Sequence, residues 1–289
     1  MNRDIDLIKK IQITFSKLSK GQRLIAQYIL SNYEKAAFMT AAKLGDKVGV
    51  SESTVVRFAN ALEYKGYPQL QKELQEMIKT RLTTVQRIEM STDYSNEEII
   101  LKNVLKADME NILLTLDEID FSVFNSAVQD IVKAKNVYIV GLRTSTVLAE
   151  FLGFYLSLIR ENVHVVTYSI GDIYEQLIRL NDDDAVIGIS FPRYSSRTID
   201  CLDYAKSKGA KVTIITDSIL SPLASYGDNV LIAKSNMESF VDSLVAPMSV
   251  LNALILAVGI KEKENLSDSF SKLEEIWHRY NVYSIKQNK

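Results

Sequence analysis

From residue 136 onward the chain carries five short runs rich in Val and Ile: NVYIVG (136–141), VHVVTY (163–168), AVIGISF (185–191), KVTIIT (211–216) and NVLIA (229–233). Stretches of helical period separate them. The runs are too continuously apolar to alternate between core and solvent, so both faces of each strand need cover, as in a parallel sheet sandwiched by helices. Five such strands predict a doubly wound α/β domain. Residues 1–90 read differently. They hold no β-branched run long enough for a core strand, and Leu24, Ile25, Tyr28 and Ile29 are spaced as one helical face. The chain is therefore expected to be multidomain, an all-α N-terminal domain followed by a flavodoxin-like, doubly wound, five-stranded parallel sheet. Its 289 residues suffice for about two domains. The expected limits are 1–79 for the helical domain, 80–110 for a polar, helix-prone linker in which Ser95 is a cap, and 111–289 for the α/β domain.

Charge divides at the same place. Net charge is −2, yet residues 1–90 hold 15 Lys and Arg against 9 Asp and Glu, while residues 91–289 hold 19 against 27. A basic helical head on an acidic body is the layout of a nucleic-acid-binding module carried by something else, although a basic face can also be merely solvated. An apolar content of 47% excludes wholesale disorder, and four Pro with 11 Gly exclude collagen-like classes. Cys201 stands alone, so no internal disulfide forms and a reducing compartment is expected. With only His164 and His278 beside it, a zinc site of the usual ligands is not expected, nor any cofactor. The start MNRDIDLIKK has charges where a signal peptide is apolar. The apolar run Leu244–Ile260 is broken by Pro247, Ser249 and Asn252 and is shorter than the ~18–20 residues of a membrane span, which predicts a buried or interface helix in a cytoplasmic protein.

Residues 40–67 fit a helix-turn-helix position by position. Thr40 is placed to cap a helix whose apolar face is Ala41, Leu44 and Val48. Gly45 is small where two helices cross, and Gly49 can take the positive φ of a turn. Val50 points inward, and the Ser51 side chain is expected to accept from the next helix's free N–H groups. That helix would bury Val55, Phe58, Ala59 and Leu62, with Gly66 and Pro68 ending the extension after it. Ser53, Thr54, Arg57 and Asn60 are then left outward, types that reach bases or phosphates from a helix in a major groove. Lys43, Lys47 and Lys65 would contact backbone phosphate. The alternative is a hairpin that only packs, with Arg57 paired to a nearby acid.

Two strand ends run into hydroxyl-rich loops. The first strand leads into Gly141-Leu142-Arg143-Thr144-Ser145-Thr146, which opens directly on a helix whose free N–H groups and dipole favour an anion. The third leads into SFPRYSSRTID (190–200), with Ser190, Ser195, Ser196 and Thr198 beside Arg193 and Arg197. In a 2-1-3-4-5 order these strands are neighbours at the switch point, where such folds place ligands. Both loops suit a phosphorylated or carboxylated small molecule; alternatively the Ser and Thr residues are ordinary helix caps.

A helix-turn-helix followed by this α/β unit resembles the RpiR-type (MurR/RpiR) bacterial transcriptional regulators, which join a helical DNA-binding domain to a sugar isomerase (SIS) domain that senses phosphosugars. SESTVVRFANALEYKGYPQLQKEL (51–74) looks like that family's recognition helix and the segment after it. The resemblance implies ligand loops at Gly141–Thr146 and Ser190–Thr198, a double-stranded DNA operator, a small anionic sugar-derived effector, and a homodimer or homotetramer. The chain departs from the family's loops. Arg143 stands where the first loop usually has its second glycine, and Ser190-Phe191-Pro192-Arg193-Tyr194-Ser195 replaces a serine–x–serine–glycine–x–threonine pattern. Arginine brings a fork of donors where glycine leaves room. Arg143 and Arg193 could hold a carboxylate or second anionic group, Arg143 could fill part of the pocket, or either could pair with an acid such as Glu150 or Glu175.

The SIS fold also serves aldose–ketose isomerases, which need a base near the substrate carbons. His164 lies in an apolar run, His278 beside Trp277, and nothing local aims Glu150 or Glu238. Ser145 or Ser195 as nucleophile lacks a neighbouring His. The expectation is a repressor and not an enzyme, with an isomerase bearing a DNA-binding domain and a pure oligomerisation module built on 244–260 as alternatives. Two recognition helices of a dimer would meet half-sites about 34–36 Å apart.

Overall fold

The computed structural model describes residues 7–37, 39–81, 96–168, 171–237 and 241–283. The chain forms two compact units, Met1–Gln86 and Arg87–Lys289. In the first, the described helices are α1 (Leu7–Thr14), α2 (Lys20–Ala36), α3 (Ala41–Val48), α4 (Glu52–Ala61) and α5 (Tyr67–Arg81). Helix α2 starts on a reciprocal cap: the Ser19 hydroxyl accepts from the Gln22 N–H, and Gln22 Oε1 accepts from the Ser19 N–H. Its buried face runs through Ile25, Ala26 and Ile29, while Leu24 is 42% exposed. The face expected from the sequence is thus turned by about one position, because Ala26 fills the core where Leu24 was placed. Leu44, Phe58, Leu62, Leu70 and Leu74 complete the core.

The second unit begins with α6 (Glu97–Glu118) and α7 (Phe121–Lys133), followed by β1 (Val137–Gly141), α8 (Thr146–Ile159), β2 (Val163–Val166), α9 (Ile173–Gln176) and β3 (Ala185–Ile189). Next come α10 (Ser196–Ser207), β4 (Lys211–Thr216), β5 (Asn229–Ile232), α11 (Val245–Lys261) and α12 (Lys263–Tyr280). The sheet is parallel throughout in the order β2-β1-β3-β4-β5. Alternate strand residues feed two cores. Val137, Ile139 and Ile187 pack with Ile131, Leu152 and Leu254 from α7, α8 and α11. Tyr138, Val140 and Val186 pack with Cys201 and Leu202 from α10. The expectation that every strand is covered on both faces fails at β2, where only Val166 is buried and His164 is exposed, its ring stacked on Tyr138 at 4.9 Å. As an edge strand, β2 has a neighbour on one side only.

The apolar run at 244–260 becomes α11, whose Val250, Leu251, Leu254 and Val258 join the sheet's own core and whose Ala246 and Pro247 are buried as well. Among the described residues no single helix is long and apolar enough to cross a membrane.

Helix α6 is seated by polar contacts. Asp108, Asn111, Thr115 and Glu118, three or four apart, share one face. Ser243 Oγ donates to Asp108 at 2.6 Å, and the Lys234 N–H donates to Thr115 Oγ1 at 2.8 Å. The Lys234 ammonium pairs with Glu118, and Asn111 is fully buried against Asn236. A second stripe, Leu101, Leu105, Met109, Leu113 and Leu116, is more than half exposed. Ser95 lies outside the described residues; the cap is Asn96, whose side chain accepts from the Ile99 N–H at 2.9 Å. The helix runs unbroken through residue 110.

Candidate functional site

In the first unit, α3 and α4 form the helix-turn-helix. The Thr40 hydroxyl accepts from the Lys43 N–H at 3.3 Å. Gly49 takes φ +74°, and the Val50 N–H closes the turn on the Gly45 carbonyl at 2.9 Å. A Cβ on Gly45 would lie 2.7 Å from the Val50 carbonyl oxygen, so the crossing needs glycine. On α4, Val55, Phe58, Ala59 and Leu62 are buried. Ser53, Arg57 and Asn60 are exposed, as are Ser51, Lys43, Lys47 and Lys65, while Thr54 is half-buried. Arg57 lies along its own helix, with Nε donating to the Ser53 carbonyl at 3.3 Å and Nη2 to Thr54 Oγ1 at 3.4 Å. Among the described residues no ion pair joins Arg57 to an acid.

Two details differ from the sequence reading. Ser51 occupies the cap position, but its hydroxyl meets Ser53 Oγ and Thr54 Oγ1, each at 2.9 Å, and no backbone N–H. Two hydroxyls one turn away outcompete the amide. Pro68 begins a helix and does not end one: α4 stops after Ala61, Glu63 takes φ +66°, and Pro68 sits in the first turn of α5, where its missing N–H costs nothing.

The sequence reading missed what holds the approach to α3. From α5, Tyr67 Oη donates to the Met39 carbonyl at 2.8 Å, and Gln71 Nε2 donates to the carbonyls of Ala37 and Met39, each at 3.0 Å. Gln75 Nε2 donates to Ala37 as well, at 3.0 Å. Burial pushes the Tyr67 phenol up to about 12. The spacing 67, 71, 75 was a visible signal, one helical face of hydrogen-bonding groups.

In the second unit, β1 and β3 are paired in register with Gly141 opposite Ile189, so their exit loops lie side by side. Gly141 is required by packing, since a Cβ there would come within 2.7 Å of Ala149 Cβ and the Ser145 carbonyl. Ser145 is buried with no side-chain cap bond, whereas Thr146 Oγ1 donates to the Gly141 carbonyl at 3.1 Å. Arg143 and Thr144 are exposed. Beyond β3, the buried Ser190 Oγ accepts from the Ser195 N–H at 3.2 Å, and Ser195 Oγ caps α10 by accepting from the Thr198 N–H at 3.3 Å. The capping alternative is therefore correct for Ser195. Thr198 is fully buried, and its hydroxyl has no partner among the described residues. Ser196 and Arg193 are exposed. Arg197 is engaged sideways, hydrogen-bonded to Tyr174 and facing Asp172 and Asp200, which hold its guanidinium charged.

Five described non-glycine residues have positive φ: Glu63, Arg143 (+59°), Asn162, Arg193 (+67°) and Asn281. Both arginines of the two loops are among them. Behind the second loop, Tyr194 Oη donates to Asp217 at 2.7 Å, and Lys234 Nζ donates to the Asp217 carbonyl at 3.2 Å while pairing with Glu118. The loop is thus joined through β4 and β5 to α6. Of the groups weighed as catalytic bases, Glu150 and His278 are exposed and Glu238 lies outside the described residues. No cluster of three or more metal-ligating side chains occurs among the described residues.

A capped helix-turn-helix in one unit and a doubly wound sheet with two loops at its switch point in the other define a transcriptional regulator with an α/β sensing domain. The chain matches the model of the rpiR-family helix-turn-helix domain over residues 5–81 and that of the SIS domain over residues 130–257, and it belongs to the RpiR family. It is similar to the HTH-type transcriptional regulator HexR of Escherichia coli, 25% identical over 281 residues covering 94% of each chain. An RpiR transcription factor sugar isomerase domain from Sphaerobacter thermophilus is 29% identical, covers 60% of this chain and 97% of its own, and superposes with a TM-score of 0.58. The Vibrio vulnificus NanR protein, complexed with ManNAc-6P, shares the fold over 96% of this chain and 100% of its own, with 19% identity and a TM-score of 0.58.

Proposed function

We propose that this regulator is a repressor of carbohydrate-metabolism genes, released from or held on its operator by a phosphosugar or related anionic sugar in the crevice between the β1 and β3 loops. Ser53, Thr54, Arg57 and Asn60 read or grip duplex DNA, and Lys43, Lys47, Ser51 and Lys65 contact its phosphates. Gly141, Arg143, Thr144, Ser145, Ser190, Arg193, Ser195, Ser196 and Thr198 form the effector crevice. The limits 1–79, 80–110 and 111–289 describe the division of labour. The observation that carries the sensing half is the buried Thr198 hydroxyl, which has no partner among the described residues and lies in the first turn of the helix that follows β3, the strand paired with β1. NanR, which shares the fold, binds ManNAc-6P. A second copy covers the exposed α6 stripe, giving the two-fold symmetry that paired half-sites need. The protein works in the cytoplasm and turns nothing over.

The test is DNA binding by the full chain. Genomic fragments retained by the protein are sequenced, and the affinity for the recovered operator is measured by anisotropy. Arg57→Ala is expected to cost about 1–3 kcal/mol on the operator. The affinity should fall with salt by about 0.9 log units per log unit for each phosphate neutralised. Operator affinity unchanged in Arg57→Ala contradicts the assignment, and conversion of ManNAc-6P or another phosphosugar by the protein contradicts the non-enzymatic reading.

A further inference from the structure

Resting on the reading of α4 as the helix that enters the groove, we propose that the DNA-contacting surface of the first unit extends past the helix-turn-helix to the junction between α1 and α2, where Lys17 and Lys20 each grip a backbone phosphate of the duplex. The junction stands at the reading end of α4. Gly21, in the first turn of α2, comes so close to α4 and the turn before it that a Cβ there would lie 3.2 Å from Thr54 Cγ2 and 3.4 Å from Val50 Cγ1. Thr54 is among the side chains proposed to meet DNA, so Lys20, the residue before Gly21, opens α2 beside that contact. Lys17 ends the single turn Phe15–Lys17 that leads into the junction. The backbone between them is held in place. Leu18 is buried, its N–H donates to the Phe15 carbonyl at 3.3 Å, and Arg23 Nη2 donates to the Ser16 carbonyl at 2.9 Å. A cation carried on a fixed backbone has less freedom to lose when it meets an anion.

The distribution of charge points to a polyanion. Residues 7–33 hold Lys9, Lys10, Lys17, Lys20 and Arg23 and no acid, whereas a merely solvated face mixes both signs. Helix α2 has no acid in its first turn and opens on Lys20, although the positive end of the helix dipole favours an acid there. Other cations of the run are engaged within the unit. Lys10 pairs with Glu63 at 3.5 Å and lies over the Tyr64 ring at 4.8 Å, and Arg23 holds Ser16. Lys17 and Lys20 are exposed and join no ion pair among the described residues. The reciprocal cap of Ser19 and Gln22 already occupies the N–H groups of both residues, so the anion is met by the lysines and not by the helix end. Cations kept at an unfavourable helix end beside a reading helix suit the regularly spaced phosphates that flank the groove.

Anisotropy with the full chain tests this on the recovered operator and on a scrambled duplex of the same length, over a range of salt. The variants are Lys17→Ala, Lys20→Ala, their combination, the charge-preserving Lys20→Arg, and Lys35→Ala at the far end of α2 as a control. Each alanine at the junction is expected to lower the salt slope by about 0.9 and to weaken both duplexes alike, by roughly fivefold at physiological salt. The ratio of operator to scrambled affinity should stay at its wild-type value, because phosphate contacts carry no sequence information. Lys20→Arg and Lys35→Ala should keep the wild-type slope. An unchanged slope in the double variant overturns the proposal, and so does an equal drop in Lys35→Ala, which would report net charge alone. A loss confined to the operator overturns the phosphate assignment. If Arg57→Ala weakens operator binding while the double lysine variant does not, the junction proposal fails and the reading of α4 stands. If neither weakens it, both fail.

Discussion

Asn111 and Asn236 exchange two hydrogen bonds: Asn111 Nδ2 donates to the Asn236 carbonyl, and the Asn236 N–H donates to Asn111 Oδ1, each at 3.0 Å. One fully buried side chain on α6 thereby satisfies both backbone groups of a residue beyond β5. Asn111→Ala leaves those two hydrogen bonds unmade at roughly 1–3 kcal/mol each, so the second unit should lose about 2–6 kcal/mol. Denaturant unfolding of the variant checks this; a midpoint equal to wild type contradicts it.

Tyr194 connects the crevice loop to the same helix. Its hydroxyl holds Asp217, whose carbonyl accepts from Lys234, which pairs with Glu118 on α6. Since α6 is the first described helix after the DNA-binding unit in sequence, the proposed function predicts that effector occupancy biases operator binding through this chain of contacts. Tyr194→Phe removes the first bond and little volume. The ratio of operator affinities with and without a crevice ligand should shrink by about 2–30-fold. An unchanged ratio places the coupling elsewhere.

Gly45 faces a backbone oxygen at 2.7 Å from any Cβ, and backbone cannot yield as a flexible side chain can. Gly45→Ala is expected to destabilise the first unit by about 1–3 kcal/mol. Hydrogen exchange should show protection lost in α3 and α4 while β1, β3 and β4 keep theirs. Uniform retention of protection contradicts the crossing described.

Cys201 lies on the buried face of α10, and burial first, then the nearby charges of Asp200 and Asp172, push its thiol from 9.0 up to about 12. The folded value lies above the unfolded one, so the thiol's contribution to stability is complete below about pH 9 and is lost as pH rises toward 12. Native protein at pH 8 should not react with a thiol reagent, urea-unfolded protein should react fully, and Cys201→Ala should lose less stability between pH 9 and 11. Fast labelling of the native chain contradicts the burial.

Much of the fold was legible because it rests on period and punctuation. Continuous apolar runs marked five strands, and Thr40, Gly45 and Gly49 marked the turn between α3 and α4. The misses share a cause. Pro68 reads as a stop only if one ignores that a helix tolerates proline in its first turn, and the Ser51 hydroxyl was diverted by Ser53 and Thr54. The face of α6 that meets the sheet domain is polar, at Asp108, Asn111, Thr115 and Glu118, so hydrophobic periodicity gave no sign of it. The arginine loops were visible as departures from a pattern, but the left-handed backbone that gives those departures meaning is a property of the folded loop.

The account stands on one thermodynamic link between the two units. The measurement that tests it most directly is the affinity of the full chain for its recovered operator with and without a saturating phosphosugar that the crevice binds, paired with the affinity for that compound with and without operator. The account predicts two ratios that are equal and lie between about 5 and 150. A compound that binds the crevice, yet leaves operator affinity unchanged, contradicts it.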